Sequence, residues 1–152
     1  MQAVWIPKYG KPDVFEVREE IDPTPGRGEV RIRVRASGIN FADVMARQGL
    51  YPDAPAPPLV IGYEVSGVID AVGEGVSERS EGQRVLAMTR FGGYADTVCV
   101  NAADTYVMPD GMTFEEIGDV CGIPGNTAAS RFRYGIDKMR RQLRPLYEEI
   151  RS

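Results

Sequence analysis

Two stretches of the sequence hold the polar and aromatic side chains that could act on a ligand. Residues 38–52 read GINFADVMARQGLYP, and residues 62–76 read GYEVSGVIDAVGEGV. Asn40 in the first stretch carries an amide, and Tyr51 and Tyr63 carry phenols. Amides and phenols donate hydrogen bonds, so these side chains can bind the carbonyl oxygen of a ligand.

Metal ligands are scarce in the chain. It has no histidine, and its two cysteines, Cys99 and Cys121, show neither metal-ligand spacing nor a disulfide framework. Zinc in proteins is held by thiolates, imidazoles and carboxylates, so the sequence predicts no zinc. Two isolated cysteines are also typical of a reducing, cytoplasmic protein.

The glycine clusters do not have the form of a dinucleotide-binding turn. Such a turn follows a strand, contains three spaced glycines and opens a helix whose N-terminus receives the pyrophosphate. Gly73-Glu74-Gly75 lacks the third glycine and precedes no helical pattern, while residues 122–127 contain a proline and too few glycines. The sequence therefore leaves the cofactor-binding residues unknown.

Residues 38–52 and 62–76, in this order and at this separation, resemble the catalytic domain of the zinc-independent medium-chain dehydrogenases/reductases. The quinone oxidoreductases and the vesicle amine transport proteins are the nearest branches. The resemblance covers about residues 1–117 and fades across residues 118–127. It implies a GroES-like, partly open β-barrel, and it places a Rossmann domain where residue 128 and its successors stand. In the zinc-dependent relatives a cysteine lies near the position of Asn40 and a histidine near that of Tyr63, so their absence assigns the chain to the zinc-free branch.

In that branch hydride passes from NADPH to a quinone or an enone. The resemblance implies that Asn40 and Tyr51 are catalytic hydrogen-bond donors and that Tyr63 and Phe41 line the substrate cleft. Purely structural interpretations stay open. Asn40 can be a helix cap, Tyr51 a packed loop aromatic, and Tyr63 part of the core or of the cleft wall.

The elements that position these residues are mainly short strands between Gly and Pro turns, a pattern typical of a small barrel. We expect strands over residues 1–7, 14–20, 30–36, 64–72, 84–88, 94–100 and 105–108. A short helix over residues 41–48 begins at Asn40 and ends at Gly49. Asp43 and Arg47, four residues apart on this helix, are expected to form a surface ion pair.

Two strands carry further signals. Residues 30–36 alternate between small apolar side chains and Arg31, Arg33 and Arg35, which predicts a strand with one solvated face; an anion-binding stripe is the alternative. Gly67, inside the strand over residues 64–72, indicates a bulge or a close approach of another backbone.

The last 25 residues have a different composition. Residues 1–127 hold 11 Lys and Arg against 19 Asp and Glu, whereas residues 128–152 hold 7 against 3. Three- and four-residue steps predict an amphipathic helix, interrupted by a proline, with the apolar positions Phe132, Ile136, Met139, Leu143, Leu146 and Ile150. We favour a helix packed on the barrel. A partner-binding helix, including one that contacts nucleic acid, and a truncated, fused or frame-shifted sequence are the alternatives.

The sequence thus predicts a mainly β fold, with a GroES-like catalytic domain over residues 1–127 and a basic helical tail over residues 128–152. We expect an oxidoreductase lineage with NADPH and a small quinone or enone by resemblance, and no hydride transfer by this polypeptide alone because the dinucleotide-binding domain is missing. A non-catalytic GroES-like binding or interaction module is the alternative. The expected partners are a second copy of the chain or a separate Rossmann-domain subunit. Nucleic acid is not expected as a partner, and neither is a membrane, since no apolar run approaches the roughly 20 residues that span a bilayer.

Overall fold

The computed structural model describes residues 1–109, 111, 113, 115, 116, 119, 122–127, 129, 130, 133, 134, 137, 141 and 144. The chain divides into two compact units, Met1–Met108 and Pro109–Ser152. The division at residue 127, inferred from composition and resemblance, stays a prediction.

The first unit is mainly β, as the turn-rich sequence predicted. Its elements in chain order are β1 (Gln2–Ile6), β2 (Glu16–Glu19), β3 (Glu29–Ser37), α1 (Phe41–Gln48), β4 (Leu59–Val60), β5 (Glu64–Val72), β6 (Arg84–Met88), β7 (Thr97–Asn101) and β8 (Thr105–Val107). Short 3-10 turns cover Pro12–Val14 and Ala102–Asp104. The bounds of α1, β5 and β6 are those expected from the sequence.

The strands form two antiparallel sheets. One has the order β2-β1-β4 and the other the order β7-β3-β5-β6-β8. A bridge between Ala3 and Ala95 joins them, and the Val4 N–H donates to the Tyr94 carbonyl at 2.8 Å. Two open sheets joined in this way confirm the partly open, GroES-like barrel.

The strand expected over residues 94–100 begins later, at Thr97. The preceding residues pair with both sheets in turn: the Tyr94 N–H donates to the Ile61 carbonyl at 2.9 Å, and the Val34 N–H donates to the Asp96 carbonyl at 2.9 Å. This crossing segment cannot continue one ladder, which is why the strand is shorter than its apolar pattern.

Apolar residues that alternate along the strands form two core clusters. The larger belongs to the five-stranded sheet and comprises Val30, Ile32, Val65, Ile69, Val85, Ala87, Val98 and Val100. The smaller lies under α1 and comprises Ile6, Ala46, Leu59 and Ile61. Alternation on a pleated strand explains the first cluster, and the buried face of α1 contributes Ala46 to the second.

Gly67 lies on β5 opposite Val34 of the neighbouring strand β3. A Cβ atom at this position would lie 2.1 Å from the Arg33 carbonyl oxygen. The register of β3 against β5 shifts between Val34 and Ala36, opposite this glycine. The sequence expectation of a bulge with close backbone approach is confirmed.

The arginine face of β3 is only partly solvated. Arg35 is exposed, but Arg31 and Arg33 are half-buried. The Arg31 Nε donates to Asp70 Oδ1 at 2.8 Å and the Arg33 Nε donates to Asp70 Oδ2 at 2.6 Å, while Arg33 also pairs with Asp22. The face predicted to be solvated also carries ion pairs, because acidic residues distant in the chain reach two of its three arginines.

The second unit has helical conformation at most of its described residues from position 115 onward. Thr113 and Glu116 form a capping box: the Glu116 carboxylate accepts from the Thr113 N–H at 2.8 Å, and the Glu116 N–H donates to Thr113 Oγ1 at 3.2 Å. The apolar positions of the predicted amphipathic helix, and Cys121, lie outside the described residues. Among the residues that are described, no helix has both the length and the apolarity to cross a membrane.

Candidate functional site

Asn40 stands at the N-cap of α1, as predicted. Its backbone is extended, with φ −112° and ψ 155°, and its N–H donates to Asp43 Oδ2 at 2.7 Å. Helix α1 ends at Gly49, which has φ 75°. A left-handed residue at this position stops the helix and is tolerated best by glycine. The cap and the stop together set the two ends of α1.

The amide of Asn40 lies against the second stretch. Its Nδ2 atom donates to Glu64 Oε1 at 3.5 Å, the long limit of a hydrogen bond. The Glu64 side chain can lie beside residues 38–40 because Gly38 has no side chain. A Cβ at Gly38 would lie 2.0 Å from the same Glu64 oxygen. Asn40 is therefore both a helix cap and a polar group at the contact between the two stretches.

Asp43 is not the surface partner of Arg47 that the sequence predicted. Both residues are buried, with exposed fractions of 3% and 7%. The Asp43 carboxylate accepts from the Gly62 N–H at 3.1 Å and from the Tyr94 hydroxyl at 3.0 Å, whereas the Arg47 guanidinium donates to the Gly10 carbonyl. The two side chains turn inward because backbone groups of other segments offer them better partners.

The phenols of the two stretches meet in an aromatic cluster of Tyr51, Tyr63 and Phe91. Tyr51 and Tyr63 are edge to face, with ring centroids 5.8 Å apart, and the Tyr63 ring lies 5.2 Å from that of Phe91. The Tyr63 hydroxyl is buried, and no hydrogen bond of normal geometry reaches it from the described residues. Burial, with the nearby Tyr51 phenol adding to it, raises the pKa of Tyr63 to about 12. The phenol therefore keeps its proton at neutral pH, as a hydrogen-bond donor must.

Phe41 is apart from this cluster. Its side chain is 77% exposed on α1, next to Ile39, which is 83% exposed, and Leu50 is 61% exposed just beyond the helix. The structure thus brings Tyr51 and Tyr63 together and Asn40 to Glu64, while Phe41 contributes apolar surface. The functional roles inferred for these residues stay predictions.

The family of the chain follows from its sequence beyond these stretches. Residues 26–110 match the alcohol dehydrogenase GroES-like domain family. This segment is more than half of the chain and includes Asn40, Phe41, Tyr51 and Tyr63. The chain belongs to that family.

The chain is similar to several proteins of known sequence or structure. It is 52% identical over 102 residues to the rat synaptic vesicle membrane protein VAT-1 homolog, covering 67% of this chain and 25% of that protein. It is 35% identical over 130 residues to rat quinone oxidoreductase, covering 84% of this chain and 39% of that protein. The solved structure of Escherichia coli quinone oxidoreductase complexed with NADPH has a TM-score of 0.70 at 31% identity, over 76% of this chain and 35% of that chain. The chain spans a quarter to two fifths of the length of these relatives, and its lineage is that of the medium-chain dehydrogenase/reductase oxidoreductases.

A groove in the GroES-like domain is lined by Glu64, the hydrogen-bond partner of Asn40, but not by Asn40, Tyr51 or Tyr63 themselves. Its volume is about 390 Å³, and its lining includes Gly38, Glu64, Leu86, Met88 and Tyr106. Leu86, Met88 and Tyr106 are each half or more exposed. A largely apolar groove with a few polar groups at one end is typical of a small-molecule site.

Metal and phosphate sites are not evident in the GroES-like domain. Among the described residues, no group of three or more His, Cys, Asp or Glu side chains could hold a metal ion. Gly73 has a packing role, since a Cβ there would lie 1.9 Å from the Gly26 carbonyl oxygen. The first glycine of the Gly73-Glu74-Gly75 turn is therefore explained without a phosphate.

Sequence reasoning missed the contributions of Phe91, Tyr94 and Glu64. The signal was available in the Phe91-Gly92-Gly93-Tyr94 segment, where two glycines separate two aromatics. Gly93 packs on Gly62, with its N–H donating to the Gly62 carbonyl at 3.1 Å, and a Cβ at Gly93 would lie 2.8 Å from that oxygen. This backbone contact brings Phe91 to the Tyr63 ring and the Tyr94 hydroxyl to Asp43.

Proposed function

We propose that this chain supplies the acceptor-binding, catalytic domain of a zinc-independent, NADPH-dependent oxidoreductase that reduces a small quinone or an enone. The observation that carries the proposal is the contact of Tyr63, whose buried hydroxyl has no hydrogen-bond partner among the described residues, with the Tyr51 phenol. Reduction of a conjugated carbonyl places negative charge on its oxygen, and fixed donors in a site shielded from water stabilise that charge.

We propose the following roles within the acceptor site. The groove of about 390 Å³ holds the apolar body of the acceptor. Tyr51 and Asn40 donate to its oxygen atoms, and the Tyr63 ring packs edge to face against the Tyr51 ring. The Asn40 amide has a second N–H besides the one directed to Glu64, which leaves it a donor for the ligand.

The cofactor half of the reaction lies elsewhere. The described residues do not fit a dinucleotide: Gly73 is held against Gly26 by packing, and the turn that follows opens no helix among residues 73–101. We propose that a Rossmann domain, on the same polypeptide or on a partner subunit, supplies the NADPH site. Residues 1–152 alone then bind the acceptor without reducing it.

The test is a pair of titrations on folded protein. NADPH fluorescence, with NADH alongside, measures cofactor binding, and ¹H–¹⁵N NMR with a soluble quinone and a cyclic enone measures acceptor binding. We expect the Asn40 and Tyr63 signals to shift with the quinone. Asn40→Ala and Tyr51→Phe should weaken its affinity about tenfold, while Tyr134→Phe in the second unit should not.

A non-catalytic binding module is the second candidate, and the lack of a dinucleotide-binding turn in the described residues favours it. Quinone reduction after addition of a Rossmann-domain subunit would reject this candidate. Failure of both the quinone and the enone to shift any signal of the aromatic cluster would reject the oxidoreductase proposal. We also propose a cytoplasmic location, which cell fractionation checks.

A further inference from the structure

The Asp43 carboxylate lies where three separate segments of the first unit meet. It is 3% exposed and accepts hydrogen bonds from the Asn40 N–H at 2.7 Å, the Gly62 N–H at 3.1 Å and the Tyr94 hydroxyl at 3.0 Å. The donors belong to the start of α1, to the link between β4 and β5, and to the segment before β7. Among the hydrogen bonds of the described residues, no other side chain bonds to all three of these segments.

Two of these donors belong to, or directly precede, the residues assigned to the acceptor site. The first is the backbone N–H of Asn40 itself. The second is that of Gly62, whose next residue is Tyr63. We propose that Asp43 is a positioning residue that holds the Asn40 amide and the Tyr63 ring in a fixed relation, so that Asn40 and Tyr51, which the Tyr63 ring contacts, face one acceptor. This inference rests on the proposed function for its consequence, but the positioning itself does not need a ligand.

The position requires an aspartate because all three neighbours are donors. A carboxylate offers only acceptor oxygens, whereas an asparagine would turn an NH₂ group toward at least one N–H or O–H. Buried donors that lose their acceptor are costly, so Asn40 or Gly62 must move to find another partner.

The surroundings leave Gly62 little other means of adjustment. Its φ is +105°, and a Cβ there would lie 2.7 Å from the Tyr94 backbone nitrogen. Its carbonyl already accepts from Thr89 Oγ1 at 2.6 Å. A change at Asp43 is therefore transmitted to the Gly62–Tyr63 peptide rather than absorbed locally.

Three variants separate positioning from plain stability. Asp43→Asn replaces one of the two acceptor oxygens by an NH₂ group. Tyr94→Phe removes one donor and leaves the two backbone hydrogen bonds. Thr105→Val removes a buried hydroxyl that accepts from Arg79 and donates to the Ala102 carbonyl, outside this cluster, and serves as the control for lost stability.

The experiment measures hydrogen exchange and ¹H–¹⁵N shifts of the Asn40 and Gly62 amides, followed by quinone titration by NMR. In Asp43→Asn we expect at least one of the two amides to move upfield and to exchange about tenfold faster, as expected when a charge-assisted hydrogen bond is lost. Tyr94→Phe and Thr105→Val should leave the two amides in place. Quinone affinity should fall about tenfold only in Asp43→Asn.

Unchanged Asn40 and Gly62 amides in Asp43→Asn would overturn the inference, and so would equal losses of protection in Thr105→Val. If Asp43→Asn does not fold, Tyr94→Phe decides the question. Displaced Asn40 and Gly62 amides in Tyr94→Phe would overturn the inference, because the carboxylate would still be present and would not be what holds them. Amides that respond as expected in a protein that binds no quinone would leave the positioning established and reject the proposed function instead.

Discussion

The ring of Tyr51 meets the ring of Tyr63 edge to face, with 5.8 Å between their centroids and 85° between their planes. The contact joins the loop after α1 to the segment before β5, so the two stretches that carry the candidate site are in direct contact. It also keeps the Tyr63 hydroxyl out of water, which is the main reason for its raised pKa.

Tyr63 should titrate late. A pKa raised to about 12, above the value near 10 of a free phenol, contributes stability that is fully present below about pH 10 and is lost as the pH rises through 12. In Tyr63→Phe the absorbance change at alkaline pH should lose one late step. Tyr106→Phe, with an exposed ring, should keep that step; a late step of full size in Tyr63→Phe would contradict the assignment.

Asp70 should set part of the acid limit of stability. Burial opposes its ionised form, but hydrogen bonds from Arg31 and Arg33 outweigh burial and lower the pKa of Asp70. A lowered pKa stabilises the fold above about pH 4 and ceases to do so as the pH falls through the folded-state value.

Asp70→Asn should therefore reduce the free energy of unfolding by about 1 kcal/mol at pH 7, with a smaller difference from wild type below pH 4. Urea unfolding at several pH values measures this. Glu16→Gln, in the exposed Arg18–Glu16 pair, is the control and should change little. A pH-independent effect of Asp70→Asn would show that the ion pairs are not its cause.

Gly67→Ala should be severely destabilising. Its Cβ would lie 2.1 Å from the Arg33 carbonyl oxygen, and a backbone atom in a central ladder cannot move aside. We expect a loss of at least about 3 kcal/mol, at the upper end of single substitutions. In Gly26→Ala the nearest atom, 3.2 Å away, is the Glu29 carboxylate, which can rotate, so a thermal melt of this control should be nearly unchanged.

Phe41 should promote self-association. Its side chain is exposed, as are those of Ile39 and Leu50 nearby in the sequence, and exposed apolar side chains that lie together favour contacts between proteins. Phe41→Ser should leave the free energy of unfolding within about 0.5 kcal/mol and shift the mass measured by light scattering at high concentration toward the monomer. Val17→Ser, also exposed but on β2, should not. A wild-type protein that stays monomeric would contradict this prediction.

The local features of the fold could be predicted from the sequence, whereas the partners of its polar residues could not. Asn40 and Gly49 marked the ends of α1, and Gly67 marked a close backbone approach, because each depends on neighbours along the chain or on the lack of a side chain. The partners of Asp43 are different. Their positions, 40, 62 and 94, are brought together only by the crossing of two sheets, and helical spacing alone suggested Arg47 instead.

The same limit applies to the candidate site. Asn40, Tyr51 and Tyr63 could be named from the two stretches, but the contact of Tyr51 with Tyr63 and the exposure of Phe41 could not. Alternation placed Arg31 and Arg33 on a solvated face, but it could not show their partners. Asp70 lies on β5 and Asp22 between β2 and β3, and only the fold brings them to the arginines. Alternation predicts which face a side chain takes, not what lies opposite it.

The sheet order has a consequence for synthesis of the chain. Strand β3 lies between β5 and β7, and its residues 29–33 pair with residues 97–101, so one side of it stays unpaired until about 100 residues have left the ribosome. Strand β1 likewise pairs on one side with Leu59 and Val60, so that side stays unpaired until these residues are synthesised. Pairings of such long range make refolding slow, on the order of milliseconds to seconds, and a nascent chain paused before residue 97 would present the β3 edge to other chains or to a chaperone.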